Sequence, residues 1–295
     1  PGCETIRGRM IADRQLDLLK RAMWKLFENS GFSMAGAMAF SFVLSLFPFC
    51  IFLVALASVF GGLRFAEKAI DYLFHILPAP VAQTLAPQVE AVMGQTRYDL
   101  LTIGAFIALF FATSAIESLR AALNVSYRVK EIRSYLWCLG QSGLFVFASA
   151  IGILVLGWGV VVGPTLAARI KDPAVLGLLN HDIVTLVLRY SIVFVVAVLQ
   201  LLAYHIWLAA GRRSIAAVLP GVVLSAVLWI VTALLYSHYI SFNDYSRFYA
   251  GLTQLMSALI FFQVSGMIVI LGAEFNRSLA EAIADDEEAA GTAGQ

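Results

Sequence analysis

Residues 36–60 read GAMAFSFVLSLFPFCIFLVALASVF, 25 positions without a charge. At 1.5 Å per residue this run makes a helix about 37 Å long, enough to cross a hydrocarbon core of about 30 Å. A helix packed on an aqueous core is apolar along one stripe only, so a run that is apolar all round belongs in lipid or deep burial. Further runs of the same character follow at about 100–116, 137–162, 183–209, 215–239 and 252–273. The second is short and bracketed by Asp99 and Glu117; the fourth holds the one evident intramembrane charge, Arg189. The expected fold class is all-α: a polytopic membrane helical bundle with six transmembrane helices plus interfacial amphipathic helices.

Composition agrees. Hydrophobic residues make up 60% of the 295 positions and charged residues 13%, against roughly 25% charged in a soluble domain. Mean hydropathy is +0.84. A formal net charge of +1 gives no global basic field, so no nucleic-acid partner is expected and membrane lipids are. Cys3, Cys50 and Cys138 form no C-x-x-C pair and read as packing thiols. Pro1 to Met10 are polar and basic rather than apolar, so no cleavable signal is expected and the first span is expected to direct insertion.

Basic residues in the connections set orientation, because they are retained on the cytoplasmic side. With the N-terminus inside, thirteen Lys and Arg fall in cytoplasmic segments and six outside. Both termini are therefore expected in the cytoplasm of a bacterial inner membrane. Three domains follow: a cytoplasmic amphipathic segment (1–35), the six-helix domain (36–274) with an outer helical cap at about 64–97, and an acidic, disordered tail (275–295). In the first segment Leu19, Met23, Leu26 and Phe27 form an apolar stripe opposite Lys20, Arg21 and Lys25. In the cap, Ala66, Ile70, Leu73, Phe74 and Leu77 repeat the spacing until Pro78 and Pro80 end it. After the second span, Leu119, Leu123 and Ser126 fall on one face and Arg120, Asn124 and Arg128 on another, which reads as a solvated extension of that helix.

Several local patterns occur together. Ala35 to Phe40 run into Leu44, Ser45, Leu46, Phe47 and Pro48; Ala122, Leu123 and Asn124 precede Tyr127; Leu219, Pro220 and Gly221 follow. Tyr245, Tyr249, Ala250, Gly251 and Leu252 come next, then Leu271, Gly272, Ala273, Glu274, Phe275 and Asn276. In this order they resemble the YihY/virulence factor BrkB family of bacterial inner-membrane proteins, over about residues 20–280. Members of that family often carry Gly directly after the second tyrosine, where this chain has Ala250 and then Gly251. The resemblance implies six spans, an envelope location, a link to serum resistance and discussion as transporters; the family was once labelled ribonuclease BN. It marks Asn124, Tyr127, Tyr245, Tyr249, Glu274 and Asn276 as motif residues.

Other candidates come from the cost of polarity in lipid. Arg189, about 9 Å in from the outer face, either snorkels or faces a polar cavity. Pro48 and Pro220 each remove a backbone hydrogen bond, so the first and fifth spans are expected to be the irregular ones and to flank a pathway. Gln254 and Gln263 must satisfy buried amides. Glu274 ends the last span, where the helix dipole disfavours a carboxylate, and is expected to pair with Arg277, Arg212 or Arg213; Glu117 pairs with Arg120.

No catalytic constellation emerges. His75, His181, His205 and His238 lack ligand spacing, so no metal and no cofactor is expected. The run Gly31 to Ala35 resembles a nucleophile elbow without its closing glycine, and no phosphate-binding G-x-x-x-x-G-K-[ST] occurs. The chain is expected not to be an enzyme but to be transporter-like, handling a small-molecule or lipid substrate. A non-transporting envelope assembly scaffold is the alternative, and an intramembrane enzyme a distant third.

Overall fold

The structure is a computed structural model that describes residues 2–76, 82, 86–87, 98–167, 182–242 and 246–293. Its described elements are all helical: α1 Gly2–Glu28, α2 Gly31–Ile76, α3 Tyr98–Ser126, α4 Tyr135–Ala167, α5 Asp182–Ala203, α6 Ile215–Phe242 and α7 Ser246–Ala293. A π-helical turn, Tyr204–Leu208, ends α5. The protein is an all-helical membrane bundle. Among the described residues, stretches long and apolar enough to cross a membrane are Gly31–Ala57, Phe106–Ser126, Tyr135–Leu154, Ile215–Thr232 and Leu255–Glu288. A shorter apolar helix, Phe194–Leu208, falls in the expected fourth span.

Helices α2, α3 and α7 pack on one another at the centre, α4 lies against α2 and α3, and α6 lies against α7. Helix α5 sits beside α6, and α1 runs along α7. Small side chains let the backbones approach: Ala35, Ala57, Ala112, Ala122 and Ala273 are buried together with Leu53, Leu123 and Ile270. The bundle's outer surface is apolar. Phe106 is 73% exposed and Leu144 65%, and a surface like this needs lipid as its solvent. Ser45 satisfies itself on the Ser41 and Phe111 carbonyls (2.6 and 3.2 Å) and on Ser114 Oγ (3.0 Å), tying α2 to α3.

Several expectations need correction. The packing face of α1 is Leu18, Ala22 and Leu26, with Leu18 and Ala22 seated against Phe275, Leu271, Leu279 and Ala282 of α7. Met23 and Phe27, expected on the apolar stripe, are exposed beside Trp24. The residues after the second span are not a solvated extension as a whole: Leu119, Arg120, Leu123, Asn124, Ser126 and Tyr127 are buried and Arg128 is exposed, because α4 covers Arg120 while α7 and the end of α5 cover Asn124 and Tyr127. The segment expected to be disordered, 275–295, continues α7 as helix through Ala293. Two of its acids meet bases: Asp286 bonds to Arg14, and Glu281 to Lys25, Arg128 and Arg277. Helix α2 passes Pro48 and departs from helical geometry at Gly62 (φ 72°), a conformation only glycine adopts freely. Ala66, Ile70 and Leu73 beyond it are buried; Leu77, Pro78 and Pro80 lie outside the described residues.

Candidate functional site

The end of the bundle that carries α1 and the last turns of α7, here called the base, holds a buried polar network. It begins where α5 fails. After the π turn the backbone becomes extended at Ala209 (φ −66°, ψ 143°), so the final carbonyls of the helix have no helical partner. Distant side chains take them. Arg133, from the α3–α4 connection, donates to Trp207 O (3.2 Å) and Leu208 O (2.8 Å), and Gln141 of α4 donates to Trp207 O (2.7 Å). Arg213 donates to His205 O (3.4 Å) and Ala210 O (2.8 Å). Asn124 Oδ1 accepts from Ala210 N at 2.7 Å.

Arg133 is itself held by Glu131, whose two oxygens take its Nε and Nη2 (both 2.6 Å). That fork holds the Glu131 carboxyl down at about 2, chiefly through the Arg133 hydrogen bonds. The cap on the broken helix is therefore charged across the physiological range.

At the centre, Tyr127 Oη lies 2.6 Å from His205 Nδ1 and accepts from Asn276 Nδ2 at 3.2 Å. The Arg213 guanidinium stacks over the Tyr127 ring at 3.8 Å. Burial pushes the Tyr127 hydroxyl up from its ordinary value, against the Asn276 bond and the Arg213 charge. Burial also lowers Arg213, which has Arg277 as a like-charged neighbour. Asn276 reaches α6 on both sides of Pro220, accepting from Gly221 N (2.6 Å) and donating to Val218 O (2.9 Å). Gly221 and Gly272 let α6 and α7 touch at this level: a Cβ on Gly221 would strike Gly272 O, and one on Gly272 would lie 2.6 Å from Gly221 O.

Two satellites complete the base. Arg120, 3% exposed, forks onto Glu117 (2.8 Å to each oxygen) and donates to Cys138 O (2.8 Å) and Ser142 Oγ (2.9 Å). The expected Glu117–Arg120 pair thus also ties α3 to α4. Glu274 is fully buried. Its partners are Asn29 Nδ2 (2.8 Å) and Arg128 (3.7 Å), not Arg277, Arg212 or Arg213 as expected. The helical phase of α7 turns Arg277 toward Glu281 one turn on (2.9 Å). Arg128 reaches Glu274 because α3 ends on it in a left-handed conformation (φ 53°), with Arg128 N on Val125 O and Val129 N on Asn124 O. A glycine is usual at that capping position.

The base therefore gathers Asn124, Tyr127, Glu274 and Asn276, all singled out from the sequence, together with Pro220. It adds His205, Arg213, Arg133, Arg120 and Asn29, which the sequence reading did not assign to it. Pro48 lies mid-span in α2, and the half-buried Gln263 is on α7 near Gly36. Tyr245 lies outside the described residues, and the side chains of Arg189, Tyr249 and Gln254 do too, although their backbones are helical. Among the described residues no three His, Cys, Asp or Glu side chains are placed to hold a metal ion.

The family described as virulence factor BrkB matches residues 23–295. The chain belongs to this family. Among its relatives is the putative ribonuclease-like protein YfkH of Bacillus subtilis, 26% identical over 90% of this chain and 95% of the relative. A UPF0761 membrane protein of Pseudoalteromonas translucida is 23% identical over 86% of this chain and 83% of the relative. Another from Chlorobium limicola is 21% identical over 87% of this chain and 57% of the relative. No solved structure matches.

Proposed function

We propose that this BrkB-family protein is a transporter-like protein of the bacterial inner membrane that handles a small molecule or a lipid, with both termini in the cytoplasm and the base as its closed cytoplasmic gate. The observation that carries the reading is the broken end of α5, held shut by side chains of α3, the α3–α4 connection and α4. Interrupted helices whose freed backbone groups are met by neighbours are how many transporters build sites and gates. A gate at the water interface exchanges its protein hydrogen bonds for bonds to water when it opens, so opening costs little. Trp24, Tyr135, Trp137 and Trp207 are exposed around this level and fit a belt at the headgroups. The excess of basic residues in the base-side connections supports the cytoplasmic assignment.

The scaffold reading is favoured by one feature, the glycine contact between α6 and α7, which is a rigid joint. The ribonuclease-like name of the Bacillus relative fits the base poorly, because its polar groups bind one another and the backbone.

A reversible lock separates transport from scaffold. Cysteines at Asn124 and Ala210, in a background lacking the native thiols, would cross-link the end of α5 to α3. Under the gate reading, oxidation abolishes an export or lipid-translocation phenotype and reductant restores it. A phenotype unchanged in fully cross-linked protein would overturn the reading.

A further inference from the structure

His205 is fully buried, and its protonation state can be read from its partners. Gly221 N can only donate, so Asn276 Oδ1 faces it and Asn276 Nδ2 donates to Tyr127 Oη. The Tyr127 hydroxyl then has its own proton to place, and His205 Nδ1 at 2.6 Å is the acceptor within reach among the described residues. His205 is therefore neutral, with its proton on Nε2, and Nε2 has no partner among the described residues. A buried donor without an acceptor is costly, and this one sits in the π turn where α5 breaks.

We propose that His205 is a proton-binding site whose occupation unlocks the base. The incoming proton must take the Nδ1 lone pair, which the Tyr127 hydroxyl occupies, so uptake and rupture of the Tyr127–His205 bond are one event. The imidazolium then presents N–H at both nitrogens inside a site whose neighbours are mostly cationic. Arg213 bonds to the carbonyl of His205 itself, and Arg277 of α7 stands behind Arg213. From the α3–α4 connection Arg133 bonds to Leu208 O and is compensated by Glu131; α3 offers the neutral Tyr127 hydroxyl, and the first turns of α6 carry no titratable residue. No acid bonds directly to His205 among the described residues, so the charged ring is stable only once water reaches it. The open base binds one proton more than the closed base, and opening is favoured as pH falls. With an ordinary imidazole value of about 6.5 in the open base, the open-to-closed ratio rises about thirtyfold from about pH 8 to about pH 5. The purpose, proton coupling of a transport cycle, rests on the transporter-like reading; the site itself does not.

The test needs no substrate. Ala210→Cys, buried in the closed base, is placed in full-length protein lacking its native thiols, and its maleimide reaction rate in proteoliposomes is divided by that of the exposed Lys130→Cys at each pH. The ratio is expected to climb about thirtyfold from about pH 8 to about pH 5 and to stay flat in His205→Gln. A flat ratio in the parent, or an equal climb in His205→Gln, would overturn the proposal. Tyr127→Phe covers a failure of His205→Gln to fold: it keeps the ring under Arg213 but frees Nδ1. The ratio should then already be raised at about pH 8, and parent-like behaviour would again defeat the proposal. A climbing ratio without flux of any substrate would sink the transport reading alone, whereas flux with a flat ratio would sink the proton site alone.

Discussion

Replacing Asn276 by Leu tests whether the base network holds the bundle together. The side chain is 4% exposed and makes three hydrogen bonds, to Gly221 N, Val218 O and Tyr127 Oη. Leu keeps the branched skeleton of Asn with bulkier methyl groups in place of the amide oxygen and nitrogen, so the change removes the polarity and adds crowding against Gly221. At about 0.6 kcal/mol per hydrogen bond between membrane helices, the three are worth about 2 kcal/mol. The Gly221 N–H left buried without its partner costs about 1–3 kcal/mol, and the two counts overlap. A loss of about 2–3 kcal/mol follows. At about 2 °C per kcal/mol for a large domain, Tm falls by about 4–6 °C. Cys50 and Cys138 are buried, so a thiol-reactive dye reports unfolding in detergent once Cys3 is replaced by Ser. A Tm within about 1 °C of the parent would refute the reasoning, because it would mean that the amide is already bonded to water.

Glu131→Gln removes the carboxylate that grips Arg133. Its folded value of about 2 lies below the ordinary 4.5, so its contribution is present above about pH 4.5 and lost as pH falls toward about 2. The Tm gap between the two proteins should be constant from about pH 8 to about pH 6 and shrink below about pH 4.5; a gap that changes near neutrality contradicts the assignment. Gly272→Ala drives a methyl group onto Ser225 and Gly221, whereas Gly152→Ala enters open space. Size-exclusion profiles should show collapse of the folded yield for the first and none for the second, and equal yields would refute the close crossing. A reporter active only in the periplasm should be silent after Gln295 and active after Gln95, and the reverse would overturn the proposed orientation.

The charge-free run at 36–60 was enough to foresee α2, because an unbroken apolar run of that length satisfies its backbone in lipid as a helix. Asn124, Tyr127, Glu274 and Asn276 were also visible as motif residues, but their meeting place was not. Glu274 is satisfied by Asn29, 245 positions away, and no local pattern points to it. The stop of α5 at Tyr204–Leu208 has neither Gly nor Pro inside it; what makes the stop tolerable is Arg133 and Gln141 arriving from elsewhere. The end of the chain, acidic from Asp285 to Glu288 and then rich in Gly and Ala, has the composition of a disordered tail. Leu279 and Ala282 keep a helical apolar face toward α1, and the basic run from Arg14 to Lys25 supplies the opposite charge.

The two kinds of contact at the base divide its mechanical roles. Between α6 and α7 the contact is glycine against glycine, with Ser225 Oγ donating to Ile268 O at 3.0 Å; parting these helices would expose backbone and gain nothing in return. Helices α2 and α3 are joined in the same lasting way through the buried apolar core and the Ser45 bonds. Beside the apolar contacts of Leu208, Ala209 and Ala273, polar bonds join the α6–α7 pair and the end of α5 to α3 at the base: Asn276 to Tyr127, Tyr127 to His205, Asn124 to Ala210. Such bonds exchange with water at modest cost once the level is wet. Under the proposed function, motion is therefore expected at that polar seam, with the end of α5 shifting against α3 while α2, α3 and α7 stay packed through the apolar core, and His205 stands on the seam itself.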